Sequence, residues 1–168
     1  MILSREDIIN LIKGAPPLIE SYVNINEQAQ PNGFDLTLRD VAVPEGEGTI
    51  AASNRGRSIP ELARLAFGGL NTLHLMPGAY IITYNEVVSL PRDVMALGAA
   101  RSSLLRCGVT VHTAVWDAGY SGRSQSLMVV HNPRGFRVER NARMMQLVFF
   151  RLERETDGYK GVYQRENV

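Results

Sequence analysis

Turn signals punctuate most of this chain at intervals of roughly ten residues, and short runs rich in β-branched and aromatic residues lie between them. The clearest signals are Pro-Gly at 77–78, the segment 117–122 and Asn-Pro-Arg-Gly at 132–135. Short strands at this spacing are typical of a β-barrel or a β-sandwich. The sequence therefore predicts a mainly β fold.

The candidate strands are the runs between these turns. We expect strands over 33–43, over two runs within 71–90 that pair around the Pro-Gly turn, over 109–116, over 124–131, and over the apolar run 144–152. Residues 92–107 contain helix-prone pieces broken by Gly98. Residues 60–67 fit either a helical turn or an extended edge.

One helix is predicted at the start of the chain, over 4–14. Ser4 is a suitable N-cap, and Asp7 stands at the capping-box position three residues later. Apolar residues recur at spacings of three and four, and Gly14 with the following Pro-Pro ends the pattern.

Length and composition indicate a single domain over 1–168, with a charged tail from about 153 that we expect to be mobile. The net charge is +1, but residues 1–50 hold 3 Lys/Arg and 8 Asp/Glu, whereas 51–168 hold 15 and 9. The basic excess is mostly arginine, which suits a small polyanion; a merely solvated face is the alternative. We do not expect nucleic acid as a partner, because proteins that bind duplexes are usually more basic.

The absence of several sequence features indicates the cellular compartment. No apolar run is long enough to cross a membrane, and the acidic start does not resemble a signal peptide, so we expect no membrane partner. Cys107 is the single cysteine and cannot form an intrachain disulfide. These features predict the cytoplasm, a reducing compartment, and leave the role of Cys107 open.

Several common catalytic patterns are missing. The chain's histidines, at 74, 112 and 131, have no metal-ligand spacing, and there is no phosphate-binding P-loop, no nucleophile elbow and no zinc deaminase pattern. A zinc site or a nucleophilic triad is therefore not expected.

Four segments stand out instead: Pro-Asn-Gly-Phe-Asp at 31–35, Arg-Ser-Ser-Leu-Leu-Arg at 101–106, His-Thr-Ala-Val-Trp-Asp-Ala-Gly-Tyr-Ser-Gly at 112–122 and Arg-Met-Met-Gln at 143–146. Arg-Ser-Ser offers donors for phosphate oxygens, although it could also be a capped helix start. Asp117 could be a turn aspartate. Together and in this order, the segments resemble the dUTPase and dCTP deaminase superfamily, and the start Met-Ile-Leu-Ser resembles the dCTP deaminase branch, which includes archaeal dUTPases.

The resemblance implies a fold and an assembly. Members fold as a distorted β jelly roll, the dUTPase-like β-clip, and form homotrimers whose active sites lie between subunits. In this chain such a fold would carry the short N-terminal helix predicted above.

The resemblance assigns the nucleoside end of the site to the segment 112–122. Asp117 would hold the 3′-hydroxyl and act as the catalytic base that activates water, and Tyr120 would pack under the deoxyribose. The backbone around His112, Ala114 and Trp116 would bind the pyrimidine edge.

The phosphate end is assigned to other segments. Arg101, Ser102, Ser103 and Gln146 would hold phosphates, and Arg106 would assist catalysis in a neighbouring subunit. Asp35 would support Mg²⁺ from the outer coordination shell. In the tail, the substrate contacts implied by the match are Tyr159, Lys160, Tyr163 and Gln164.

The branch activity depends on one further position. Deaminases of the family carry a glutamate after the third segment, and here the aligned residue is Leu127 or Val129; nothing from 118 to 138 is acidic. The resemblance therefore implies a dUTP diphosphatase that converts dUTP and water to dUMP and pyrophosphate. A dCTP deaminase or bifunctional enzyme, and a non-catalytic nucleotide-binding protein on the same fold, remain the alternatives.

Overall fold

The computed structural model describes residues 1–168 and is mainly β. Its α-helices are short: α1 (Arg5–Ile12), α2 (Ile25–Gln28) and α3 (Ser102–Arg106). Its strands are β1 (Ile19–Glu20), β2 (Ala29–Gln30), β3 (Gly33–Glu45), β4 (Glu61–Arg64), β5 (Thr72–Leu75), β6 (Gly78–Tyr84), β7 (Val87–Ser89), β8 (Val94–Ala100), β9 (Val109–His112), β10 (Ser121–Gly122), β11 (Gln125–Val130), β12 (Phe136–Glu139) and β13 (Arg143–Arg151).

The main sheet has eight strands, six of them in the order β8-β13-β3-β6-β11-β9. Both β2 and β4 pair with β3, while β1-β7-β10 and β12-β5 form two smaller sheets. Every pairing in the molecule is antiparallel. The long strand β3 pairs with β13 through its first half and with β6 through its second, so it links the two ends of the main sheet.

The core lies beneath the central strands. Residues 33–38 of β3 are all buried, which shows that this stretch is covered on both faces. Phe34, Tyr84 and Phe149 are the largest side chains that are fully buried. Each of these side chains buries a large apolar area, and the many aliphatic side chains of the core add to it.

The local predictions are largely confirmed for the first helix and for four strands. Ser4 caps α1, and its hydroxyl accepts a hydrogen bond from the Asp7 backbone N–H while the Asp7 carboxylate bonds the Ser4 backbone N–H. Strands β3, β9, β11 and β13 occupy the expected runs, and 60–67 contains the strand β4 rather than a helical turn.

Two local predictions are wrong. The runs on either side of the Pro-Gly turn at 77–78 are strands, but β5 pairs with β12 and β6 pairs with β3 and β11. Most of 92–107 is not helical: Val94–Ala100 is a strand, and only Ser102–Arg106 forms a helix. The seven ladder partners that β13 offers to 94–100 outweigh the helix preference of Met, Ala and Leu. No helix of the protein is long and apolar enough to cross a membrane.

Candidate active site

A cavity of about 320 Å³ lies against the loop that joins β9 to β10. Asp117 is exposed on its wall, and Tyr120 beside it is buried. A two-way bridge anchors this loop, because the backbone N–H groups of Ala96 and Trp116 donate to each other's carbonyls at 2.9 and 3.1 Å. Among the predicted residues, those that line the cavity are Ala114, Trp116, Asp117, Tyr120, Tyr159 and Tyr163.

Tyr120 connects the loop to the C-terminal tail. Its hydroxyl donates a hydrogen bond of 2.8 Å to Glu166 Oε1, and its ring packs edge-to-face on Tyr159 with centroids 5.8 Å apart. Burial, reinforced by the Glu166 carboxylate, raises the pKa of Tyr120. Burial also raises the pKa of Glu166, although the Tyr120 hydroxyl opposes the shift. Tyr120 therefore remains a neutral donor at physiological pH.

The tail lies along the loop without forming a helix or strand. Gln164 Oε1 accepts from the Ser121 backbone N–H at 2.8 Å, and Gln164 Nε2 donates to the Gly119 carbonyl at 2.9 Å. The Tyr159 backbone N–H donates to the Ala118 carbonyl at 2.8 Å. Lys160 instead pairs with Asp157 at 3.8 Å, and both side chains are highly exposed. The tail thus closes the cavity of its own chain in this structure, and its mobility stays a prediction.

A second polar cluster is built on the main sheet. Asp35 is 2% exposed, and its Oδ2 lies 3.2 Å from Arg101 Nε and 3.4 Å from Arg143 Nη1. Burial raises the pKa of the Asp35 carboxyl, whereas the two guanidiniums act in the opposite direction. One buried carboxylate is therefore shared by two half-exposed arginines.

Strand register brings further residues of the predicted phosphate-binding set to this cluster. Gln146 of β13 lies opposite Asp35 on one side and opposite Ala99 of β8 on the other. Gly33, two residues before Asp35, lies so close to Gln146 that an added Cβ would be 2.8 Å from its Nε2. Residues two apart on a strand share a face, so Arg101 follows Ala99 onto the same side.

The other predicted residues flank this cluster. Ser102 and Ser103 form the exposed first turn of α3. Arg106 is exposed in the last turn of the same helix, and Cys107 next to it is an exposed free thiol.

The two groups of residues are well separated within one chain. Ala96 pairs with Trp116 beside Asp117, and Arg101 follows five residues later. At about 3.3 Å per strand residue, this places Asp117 and Arg101 roughly 16 Å apart along β8. The Asp117 cavity and the Asp35 cluster therefore lie near opposite ends of one strand.

Three residues near these groups had no predicted role. Arg143 belongs to the fourth segment, and its position in that segment could have indicated a role in the site. Nothing in the sequence pattern indicated Glu166, because its contact depends on the path of the tail. Ser124 lines the cavity, and its buried hydroxyl has no hydrogen-bond partner, like the Trp116 indole nitrogen.

A second cavity, next to the β9–β11 pair, is distinct from the cavity around Asp117. Leu127 lies across from His112 in the β9–β11 pair, and both border a separate apolar cavity. The His112 ring contacts the Thr110 hydroxyl at 3.1 Å. Position 127 therefore presents a hydrocarbon side chain where the deaminase pattern requires a carboxylate.

The chain's own residues do not form a resident metal site. No group of three His, Cys, Asp or Glu side chains is close enough together to hold an ion. Asp35 was expected to support Mg²⁺ through water, but both of its neighbours are guanidiniums, which would repel a dication. These surroundings do not fit an outer-shell metal ligand.

Fold and motifs together define the class of this protein. Residues 2–152 match the model of the dCTP deaminase-like family, and the chain belongs to that family. It is 47% identical to a probable deoxyuridine 5′-triphosphate nucleotidohydrolase of Methanosarcina mazei, over 99% of this chain and 98% of that protein. The corresponding protein of Archaeoglobus fulgidus, also named a probable deoxyuridine 5′-triphosphate nucleotidohydrolase, is 48% identical over 99% of this chain and 98% of its own.

A solved structure is similar in both fold and sequence. The 2′-deoxycytidine 5′-triphosphate deaminase from Agrobacterium tumefaciens superposes with a TM-score of 0.64 at 25% identity, over 88% of this chain. The match spans about half of that deaminase, 48% of its chain. Relatives named for uracil-nucleotide hydrolysis and for cytosine deamination thus both resemble this chain.

Proposed function

We propose that this protein is a dUTP diphosphatase, which hydrolyses dUTP to dUMP and pyrophosphate. The observation that carries the proposal is the cavity at 114–120, where an exposed carboxylate, Asp117, stands beside a buried tyrosine, Tyr120. The names of the archaeal relatives support the same reaction.

Asp117 supplies the base for this reaction. Its carboxylate accepts a proton from a water molecule as that water attacks a phosphoanhydride bond, and pyrophosphate leaves. General-base catalysis requires a carboxylate within one hydrogen bond of the water, and the exposed Asp117 is free to adopt that position. Tyr120 forms a flat floor for the deoxyribose, and backbone groups of 112–117 meet the pyrimidine edge. The triphosphate is held by Arg101, Ser102, Ser103 and Gln146.

The fold and assembly belong to the same proposal. From the family resemblance we infer a distorted jelly roll that assembles as a homotrimer. The separation of about 16 Å along β8 between the Asp117 cavity and the arginine cluster supports a site shared between copies. A site shared between two copies brings the base of one chain to the phosphate-binding residues of another, with Arg106 reaching a neighbouring site. The exposed free thiol of Cys107 is compatible with a reducing cytoplasm.

Mixing two inactive variants tests the shared site. Asp117→Asn subunits and Arg101→Ala subunits should each be inactive alone and should regain part of the activity after mixing and reassembly. Light scattering that gives a monomer at micromolar concentration, or no regain of activity, would refute the shared site.

Magnesium enters this proposal as a counter-ion of the substrate. A triphosphate carries about four negative charges, and Mg²⁺ prefers phosphate oxygens and water as ligands. We therefore expect the substrate to be magnesium dUTP. Chelation should strongly lower turnover, and activity that is unchanged in excess chelator would contradict this part of the proposal.

A dCTP deaminase, alone or combined with the hydrolase, is the second candidate. The deaminase from Agrobacterium tumefaciens that shares the fold favours it, as does the Glu166 carboxylate on the cavity wall. Against it stand the apolar residues Leu127 and Val129 at the aligned positions, because deamination requires a proton shuttle. A non-catalytic nucleotide-binding protein would need no general base and could lose the carboxylate, so the presence of Asp117 disfavours it.

One assay separates these candidates. Pyrophosphate and ammonia release should be measured in parallel on dUTP, dCTP, dTTP and UTP. The diphosphatase releases pyrophosphate from dUTP without ammonia from dCTP. Ammonia from dCTP would establish the second candidate, and release of neither product would indicate a binding protein.

A further inference from the structure

The Asp35 cluster has an unusual distribution of charge for a metal-supporting position. One carboxylate that is 2% exposed faces two guanidiniums whose side chains are each 31% exposed. A buried carboxylate without a partner is strongly unfavourable, so Asp35 needs these cations to remain ionised. The cluster as a whole keeps one positive charge, and its cationic side is the accessible one.

The contacts leave the outer ends of both arginines free. Arg101 forms an ion pair with Asp35 through Nε at 3.2 Å, and its guanidinium donates no hydrogen bond to another group of the chain. Arg143 uses Nη1 for both Asp35, at 3.4 Å, and the Glu27 carbonyl, at 2.6 Å. A guanidinium fixed on one edge can present the remaining donors as a rigid fork to phosphate oxygens.

We propose that Asp35 is a positioning residue that aims Arg101 and Arg143 at the substrate's phosphates, and that it does not support magnesium. This inference rests on the proposed function, since it concerns the same phosphate site. Fixing a side chain before binding lowers the entropy cost of immobilising it on the ligand. Loss of the Asp35 carboxylate should therefore weaken phosphate binding even though it adds positive charge to the cluster.

The test measures binding of inorganic tripolyphosphate by calorimetry in metal-free buffer, using the full chain in its native assembly. Asp35→Asn should weaken binding by about 10- to 100-fold, the scale of a lost charge-assisted contact. Asp40→Asn is the matched control, because Asp40 lies on the same strand and pairs with Arg39 and Arg140 at the surface. It should bind as the wild type does.

A double-mutant cycle shows whether Asp35 acts through Arg101. If it does, the loss of affinity in Asp35→Asn combined with Arg101→Ala should be clearly smaller than the product of the two single losses, because only Arg143 is left for Asp35 to position. Additive losses would overturn the proposal. So would an increase in affinity for Asp35→Asn, because simple electrostatics would then outweigh orientation.

The magnesium dependence of turnover distinguishes a positioning role of Asp35 from a metal-supporting role. For a positioning residue, Asp35→Asn changes KM for dUTP but leaves the magnesium concentration for half-maximal activity at the wild-type value. A metal-supporting residue gives the reverse: normal tripolyphosphate binding without metal and a higher magnesium requirement. That second result would overturn the inference.

A further variant keeps the test decisive if Asp35→Asn does not fold. Arg101→Lys retains the charge but lacks the rigid fork that Asp35 orients, so it should bind tripolyphosphate more weakly than the wild type. Wild-type affinity in Arg101→Lys would overturn the proposal. Absence of dUTP turnover by the wild-type protein would instead refute the proposed function, and tripolyphosphate binding would still test Asp35.

Discussion

The two ends of the candidate active site are built from different kinds of structure. At the phosphate end, Asp35, Gln146 and Arg101 stand on or directly after three adjacent strands of the main sheet. At the nucleoside end, Asp117 and Tyr120 stand on a loop that is covered by the C-terminal tail. Strands hold side chains through a continuous hydrogen-bond ladder and a buried core, whereas the loop relies on a few contacts.

This difference has a consequence for local stability. Residues 156–168 contain no buried side chain, and their contacts to the loop are mainly hydrogen bonds near solvent. Segments of this kind open at a low free-energy cost, far below that of global unfolding. We therefore expect the tail to open over the Asp117 loop more readily than the sheet around Asp35 changes its shape.

The largest effect should come from the base at the loop end. Asp117→Asn is expected to lower kcat by about 10²- to 10⁴-fold and to change dUTP binding by less than about tenfold, because it removes proton transfer and keeps the shape. Pyrophosphate release and binding of a non-hydrolysable analogue measure the two quantities. Glu155→Gln, at an exposed carboxylate outside the cavity lining, is the control. Near wild-type turnover by Asp117→Asn would show that another group is the base.

A substitution in the core of the main sheet should lower the stability of the protein, whereas Asp117→Asn should lower kcat. Phe149→Ala should lower the free energy of unfolding by about 3–5 kcal/mol, since Phe149 is fully buried in the core. Urea titration measures the change. Val162→Ala, at an exposed tail position, should stay within about 0.5 kcal/mol of the wild type. Equal losses for the two variants would mean that the tail is as integral to the fold as the sheet.

Removal of the tail should lower turnover and leave stability almost unchanged, which is the opposite of the effect expected for Phe149→Ala. Deletion of 156–168 should lower turnover by about tenfold or more, because the cavity loses the wall formed by Tyr159, Tyr163 and Glu166. The thermal transition should stay nearly unchanged. Full activity would show that the tail is a passive end, and a collapsed transition would show that it is structural.

Single substitutions in the tail test which contacts hold it over the Asp117 loop. Gln164→Ala removes the hydrogen bonds to Ser121 and Gly119 and should raise KM several-fold, since each exposed bond contributes about 0.5–1.5 kcal/mol at most. Gln164→Glu keeps the acceptor and loses the donor, so it should fall between Ala and the wild type. Val168→Ala is the control at an exposed site. Unchanged KM in both Gln164 variants would mean that these bonds do not hold the tail over the cavity.

The smallest expected effect is a pH dependence of tail closure. Burial in the closed tail raises the pKa of Glu166 above its ordinary value of 4.5, so the closed state binds this proton more tightly than an open one. Closure should be strongest below pH 4.5 and should weaken as pH rises through the raised pKa. Hydrogen exchange of the Arg123 amide, which donates to the Glu166 carbonyl, reports closure after correction for intrinsic rates. Glu166→Gln should abolish the pH dependence of tail closure. If the pH dependence persists in this variant, another titrating group causes it.

Local pattern predicted some elements well and failed for others. The capping box of α1 and the strands β3 and β13 follow from spacing and hydrophobicity over a few residues. Strand β8 was missed because its helix-prone composition is overridden by pairing with β13, about fifty residues further along the sequence. The partner of β5 was missed for the same reason, since six strands lie between β5 and β12 in the sequence.

The nucleoside half of the candidate site could be anticipated because it is contiguous in the chain. Asp117, Tyr120 and their neighbours lie within one short segment, so a motif could predict that they share a cavity. The contact of Tyr120 with Glu166 could not be predicted, because the two residues are 46 positions apart and joined only by the path of the tail.

The sequence by itself determined the mainly β class, the first helix and the residue types that suit a nucleotide phosphate. Only the tertiary structure decided that Asp35 meets Arg101 and Arg143 and that Asp117 lies at the other end of β8. The physical reason is strand register: a shift of one residue in β13 or β8 would turn these side chains to the opposite face. Register is selected by burial of the whole core, and no local segment contains that information.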